Sequence, residues 1–300
     1  MSAGFANALS EITLVLFTTL APSGAIAFFL MSIPLIRGGL DRETHVRIDK
    51  ALAIPLVASL AGLVASATHL GNPANALYVL TGVGRSPLSN EVVCAVTFLA
   101  FAGVYWLYSF ALNPRRGLQR ALTVCSCISA IAFVTAVAFA YSAHTIISWD
   151  TVFSPLTLWL NALSGGPLLA IVGLRVARWK SAGNRYEQVM LVFSLGALIA
   201  CLVAYVLQGA TLKSIENSWT TAAQLVPGYA GAVIAFALLA ACGIALDAPT
   251  LFKRSKTPAP RKETTISILR ASIACSLTLA GIFVMRFTFY MMHMTTGISF

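Results

Sequence analysis

Eight runs of apolar residues, each about as long as a bilayer is thick, constrain this chain more than any other feature. They cover approximately 11–36, 50–69, 89–112, 121–143, 154–174, 188–209, 227–246 and 266–290. A helix needs roughly 20 consecutive apolar residues to cross the hydrocarbon core, and in lipid a helix satisfies its own backbone amides. A transmembrane β-barrel would instead alternate in segments of about ten residues, a pattern these runs lack. Only short polar connections separate them, so no soluble domain is left over. The chain therefore reads as all-α, a polytopic integral membrane protein with eight transmembrane helices in a single unit spanning 1–300, and two neighbouring four-helix groups are expected. The first run is too long for a signal-peptide core, and residues 1–10 carry no Lys or Arg, so it reads as a retained helix.

Charge supplies the orientation. Only 10% of the residues are charged, against about 25% in a soluble globule, and the formal net charge is +10. Of the 20 basic residues, 17 lie on one set of alternate connections: 37–50, 115–120, 175–185 and 253–270. Arg85, Lys213 and Arg286 are the remainder. The positive-inside rule places the basic connections in the cytoplasm. Both termini and the loops 70–88, 144–153 and 210–226 are then expected outside, in the cytoplasmic (inner) membrane of the cell. The basic excess is thus a topology signal, and nucleic acid is not an expected partner.

The six cysteines, Cys94, Cys125, Cys127, Cys201, Cys242 and Cys275, all fall inside the apolar runs, where cysteine behaves as a small hydrophobe. Their spacing does not resemble that of an iron–sulfur site. No iron–sulfur cluster is expected in this chain, and no metal ligands are assigned. None of the ten acidic residues sits at the middle of a run. Ion-coupled transporters commonly place ionisable groups there, which counts against that class.

Polar residues do converge at the outer ends of the runs. His69 closes the second, and Ser89, Asn90 and Glu91 open the third. Gln208 ends the sixth, and the eighth rises through MRFTFYMMH, with Arg286, Tyr290 and His293 spaced i, i+4 and i+7 on one helical face. Such a site suits proton-coupled oxidation of a quinol, whose tail stays in lipid while its two hydroxyls give up protons. His69 suits the first base, since its ordinary pKa lies near 6.5. Glu91 is placed to accept or relay a proton, while Arg85 or Arg286 would hold it ionised or orient the headgroup. Each residue also has a plainer role available. Glu91 suits the positive end of a helix with Ser89 or Asn90 as cap, and Tyr290 suits an aromatic belt. His144 and Asp150 read as solvated, and Trp149 as an interface anchor. The Gly-Gly-Pro of 161–170 interrupts the fifth run, either for close packing or to open space for a ring.

The pieces HLGNP (69–73), VGRSPLSNE (83–91), SGGPLLA (164–170), QGA (208–210) and FYMMHMTTG (289–297) resemble the membrane-anchor subunit of the dimethyl sulfoxide reductase family. The resemblance extends over nearly the whole chain and implies an eight-helix subunit that oxidises menaquinol to menaquinone without haem. Electrons would pass to an iron–sulfur subunit and on to a molybdopterin catalytic subunit, both docked on the outer face, in anaerobic respiration. It also implies that the histidine of HLG and the glutamate of SNE, here His69 and Glu91, serve quinol oxidation. Arg85 and Pro87 depart from the family's VGASALSNE pattern within the same loop. Two other classes remain open on the residues alone. One is a cytochrome b type anchor, for which His69, His144 and His293 are the outer-half histidines; the other is a small-solute transporter.

Overall fold

The computed structural model describes residues 3–68, 79, 81–179, 185–249 and 261–295. Within these, eight helical segments are long and apolar enough to cross a membrane. They are α2 (Ile12–Arg37), the nearly continuous pair α3 (Arg42–Ala51) and α4 (Ala53–Thr68), α5 (Pro87–Tyr108), α6 (Arg116–Ala140), α7 (Phe153–Val176), α8 (Arg185–Thr211), α10 (Tyr229–Asp247) and α11 (Arg261–Met291). Two short helices, α1 (Ala3–Ser10) and α9 (Ala222–Leu225), lie outside the spans. The β-structure among the described residues is limited to the isolated bridges Ile146–Thr295 and Glu216–Thr221.

The connection expected over 37–50 is largely helical. Asp41 caps α3 by accepting the Thr44 amide at 2.9 Å, and its bonds to the Thr44 hydroxyl and amide hold its carboxyl below the usual range. Glu43 and Arg47 then pair one turn apart at 3.1 Å. Cap and pair are a helix signal that a count of apolar residues passes over.

Packing divides the spans into two groups. α2, α4, α5 and α6 pack together, as do α7, α8, α10 and α11, and contacts of α2 with α7 and α11 join the groups. Accordingly α2 and α7 are the most buried spans. In the first group, Phe28, Phe98 and Phe133 link α2, α5 and α6 with centroids 5.7 and 5.9 Å apart. A methyl group added to Gly62 would stand 2.9 Å from the Ala21 amide, so α4 approaches α2 through small residues, as membrane helices often do.

Helix α7 runs unbroken through Gly165, Gly166 and Pro167, contrary to the interruption expected there. A side chain at Gly166 would meet Ile26 at 2.6 Å, so the glycines serve close packing of α7 on α2. Arg175, grouped above with the loop cations, is buried. Its guanidinium donates to Glu187 at 2.9 Å and to both Asp247 carboxylate oxygens at 2.8 and 2.9 Å. It also reaches the Ser267 carbonyl at 3.0 Å, so one side chain ties α7 to α8, α10 and α11 at the end where the basic residues gather.

Candidate functional site

The opposite end of the bundle carries a polar cluster in an aromatic shell. Helix α5 starts there, capped by Ser86, whose hydroxyl accepts the Ser89 amide at 3.4 Å, with Pro87 in the first turn. The cap is therefore Ser86, and neither Ser89 nor Asn90 serves. Asn90 instead accepts the Gly84 amide at 2.7 Å, tying the preceding turn to the helix. This frame places Glu91 one turn inside α5, where it is only 4% exposed.

At the same end of the bundle, α11 delivers Arg286, Phe289 and Tyr290. Arg286 is 1% exposed, and its Nε donates to Thr18 Oγ1 of α2 at 3.0 Å. Its guanidinium lies 4.2 Å from the Phe289 ring centroid and 5.6 Å from those of Tyr141 and Tyr290. Tyr141 ends α6, and its ring stands edge-on to Tyr290 at 5.8 Å. Glu91 lies near the start of α5 and Tyr141 at the end of α6, and α5 packs on α6, so both stand at this end of the bundle. Among the described residues, neither Glu91 nor Arg286 has an opposite charge within 4.0 Å. Within that same set, Arg286 Nη2 and the Tyr290 hydroxyl are buried with no hydrogen-bond partner. Removing charges from water without partners is costly, so this end holds polar capacity that the described residues do not use.

The wall beside the cluster is built by the 142–152 loop folding under α11. Trp149 stacks on Phe289 at 4.7 Å and donates its indole N–H to the Phe289 carbonyl at 3.1 Å. Ser148 donates to the Met292 carbonyl and accepts the Met294 amide at 3.2 Å. Trp149 is thus a core residue and not the interface anchor expected of it. His144, exposed as expected, nonetheless has a partner, with Nδ1 2.7 Å from Asp150.

The other sequence-derived candidates fall at different distances from this cluster. His69 lies outside the described residues. Arg85 is exposed on the turn before α5. His293 follows α11, half-buried, with its ring 5.0 Å from Trp149, and burial lowers its pKa while Glu11 opposes the change. Gln208 joins a separate buried network in the second helix group. There Asn161 donates to the Tyr205 hydroxyl at 2.7 Å, Tyr229 donates to the Tyr205 carbonyl at 2.8 Å, and Gln208 Oε1 lies 3.3 Å from the Tyr229 hydroxyl. Tyr141, Thr18 and Phe289 complete the cluster and were not among the candidates. Among the described residues, no group of three or more His, Cys, Asp or Glu side chains is arranged to hold a metal ion.

Comparison with known proteins matches residues 5–292 to the model of a family described as DMSO reductase anchor subunit (DmsC). The sequence is 31% identical over 292 residues to the C subunit of the anaerobic dimethyl sulfoxide reductase of Escherichia coli (strain K12), a match covering 96% of this protein and 97% of that one. It is 29% identical over 293 residues to the anaerobic dimethyl sulfoxide reductase subunit YnfH of the same organism, with 98% of each covered. The C subunit of the Haemophilus influenzae anaerobic dimethyl sulfoxide reductase is 27% identical over 293 residues, covering 97% of this protein and 98% of its own length.

Proposed function

The protein belongs to the DMSO reductase anchor subunit family, and from that premise we propose that it oxidises menaquinol at the end of the bundle holding Glu91 and Arg286. In this reading it anchors an iron–sulfur subunit and, through it, a molybdopterin catalytic subunit at the same end. The basic residues gather at the other end, which the positive-inside rule assigns to the cytoplasm. The quinol site then faces the outside of the inner membrane, and protons are released there.

The observation that carries this reading is the pair Glu91 and Arg286, both buried at one end of the bundle and, among the described residues, without an opposite charge within 4.0 Å. A quinol headgroup offers what the cluster lacks: a hydroxyl donor for the carboxylate and an oxygen acceptor for Arg286 Nη2 and the Tyr290 hydroxyl. The Trp149–Phe289 stack gives an apolar wall for the ring. Oxidation breaks two O–H bonds, sending two electrons to the iron–sulfur partner and leaving two protons. Glu91 receives one of them, and His69, assigned through the family motif, receives the other. Arg286 steadies the oxygen as its proton departs, since a fixed cation stabilises developing negative charge in a site shielded from water.

The test is oxidation of a menaquinol analogue by the purified complex, comparing wild type with Glu91→Gln and His69→Ala after assembly has been checked. Loss of quinol oxidation, with an artificial donor still driving the catalytic subunit, is the expected result. Unchanged quinol kinetics in both variants would remove the site from this end of the bundle.

A further inference from the structure

At the basic end, where α2 stops and the α7–α8 connection begins, a groove of about 160 Å³ opens between the helices. Ile33, Pro34 and Leu40 give it apolar walls, and Arg37, Trp179 and Tyr186 stand around it. The spans that meet here end at Arg37 and Val176 and restart at Arg185, so the groove lies at headgroup depth. Trp179 and Tyr186 are in edge contact at 5.5 Å, and the Tyr186 hydroxyl is anchored on the Leu30 carbonyl at 2.6 Å. Aromatic pairs of this kind favour the boundary between lipid and water.

The charge at the groove is free to meet a ligand. Arg37 is exposed and has no ion-pair partner among the described residues. A further cation immediately precedes Trp179 in the sequence and is held at an unusual backbone cost. Helix α7 ends with the Trp179 amide bonded to the Leu174 carbonyl and the Arg178 amide to the Arg175 carbonyl, both at 3.0 Å. This is the Schellman ending, whose left-handed position usually carries glycine. Here that position is Arg178, at φ 55°. The turn fixes Trp179 at the groove and holds a second exposed guanidinium next to it. A second groove on the same end, lined by Arg47, Lys50 and Ile54, is the weaker candidate because Arg47 is already engaged by Glu43 at 3.1 Å and Thr44 at 2.9 Å.

We propose that the Arg37–Trp179 groove binds the phosphodiester headgroup of an anionic phospholipid, with an acyl tail lying along Ile33, Pro34 and Leu40. Arg37 supplies the charge, the Trp179 indole N–H donates toward the glycerol ester oxygens, and Arg178 adds to the local field. Basic pockets between spans on the positively charged side are suited to such headgroups.

Native mass spectrometry of the purified complex, titrated with phosphatidylglycerol or phosphatidylcholine, tests the site. Arg37→Gln is expected to weaken phosphatidylglycerol binding roughly five-fold, as loss of one interfacial cation implies, and to leave phosphatidylcholine binding unchanged. Arg116→Gln, an exposed cation that does not line the groove, should behave as wild type. Trp179→Leu should weaken both lipids, because the indole serves the esters common to them. Wild-type affinity in Arg37→Gln, or an equal loss in Arg116→Gln, overturns the proposal in favour of general surface charge. Displacement of the lipid by an equal concentration of inorganic phosphate overturns it in favour of a free-anion site.

Discussion

Glu91 near the start of α5 and Arg286 near the end of α11 are both buried at the same end of the bundle, and they stand farther apart than an ion pair. A direct pair would cancel the two charges. Separation leaves each with a reason to engage something placed between them.

That separation gives the first prediction. Glu91→Gln removes the carboxylate's ability to take a proton, and loss of a positioned base slows quinol oxidation by about 100-fold or more. Arg286→Met removes a charge-assisted bond worth about 1.5–3 kcal/mol, and quinol-dependent kcat/KM should fall at least ten-fold. If one headgroup bridges the two residues, the double variant loses less than the sum of the single losses. Strict additivity in steady-state quinol kinetics would show that the two residues act apart.

The Arg175 cluster predicts stability and not catalysis. Arg175→Met leaves Glu187 and Asp247 buried without their main partner, at a cost of about 3–5 kcal/mol. Replacing all three with apolar residues of similar volume should recover most of that, since a buried network is stabilising chiefly relative to its broken forms. Unfolding in mixed micelles measures both. A triple variant as unstable as Arg175→Met would mean that the network is stabilising in its own right.

Close packing of α7 on α2 gives a third expectation. Gly166→Val would force its side chain into Ile26, and overpacking of this kind costs typically 1–3 kcal/mol. Gly103→Val, where an added side chain meets nothing within 4 Å, is the control and should cost less than about 1 kcal/mol, in line with a helix position open to substitution. Equal melting temperatures for the two variants would contradict tight packing at Gly166.

What the sequence reveals of this molecule follows from the range of each interaction. The spans are legible because hydrophobicity is a local property, and their boundaries shift by only a few residues where caps such as Ser86 decide them. Helix α3 escapes an apolar count because Arg42, Glu43, Arg47, Asp49 and Lys50 make it polar. Glu91, Arg286 and Tyr290 stand out as polar groups at the edges of greasy runs. Trp149 does not, because its burial depends on bonds to Phe289 formed 140 residues away. Arg175 reads as a loop cation for the same reason: its partners Glu187 and Asp247 lie on other helices. Thr18 and Tyr141 give no signal alone, and only the packing of α2, α6 and α11 brings them to Arg286.

The His144–Asp150 contact supplies a pH-dependent prediction outside the spans. Its 2.7 Å bond and the Asp150 charge raise the His144 pKa above the ordinary value of ~6.5. The folded protein therefore binds this proton more readily than the unfolded one, and stability from the pair is fully present below the unfolded pKa and lost as pH rises through the folded one. The side chain is exposed, so the effect is confined to the loop. In an NMR titration of His144 in micelles, the wild-type midpoint should lie above that of Asp150→Asn. Amide protection over residues 142–151, corrected for intrinsic exchange, should fall through the same midpoint in wild type and show no such step in the variant. Coincident midpoints would mean that Asp150 does not hold the imidazolium, and the loop would then owe its order to Ser148 and Trp149 alone.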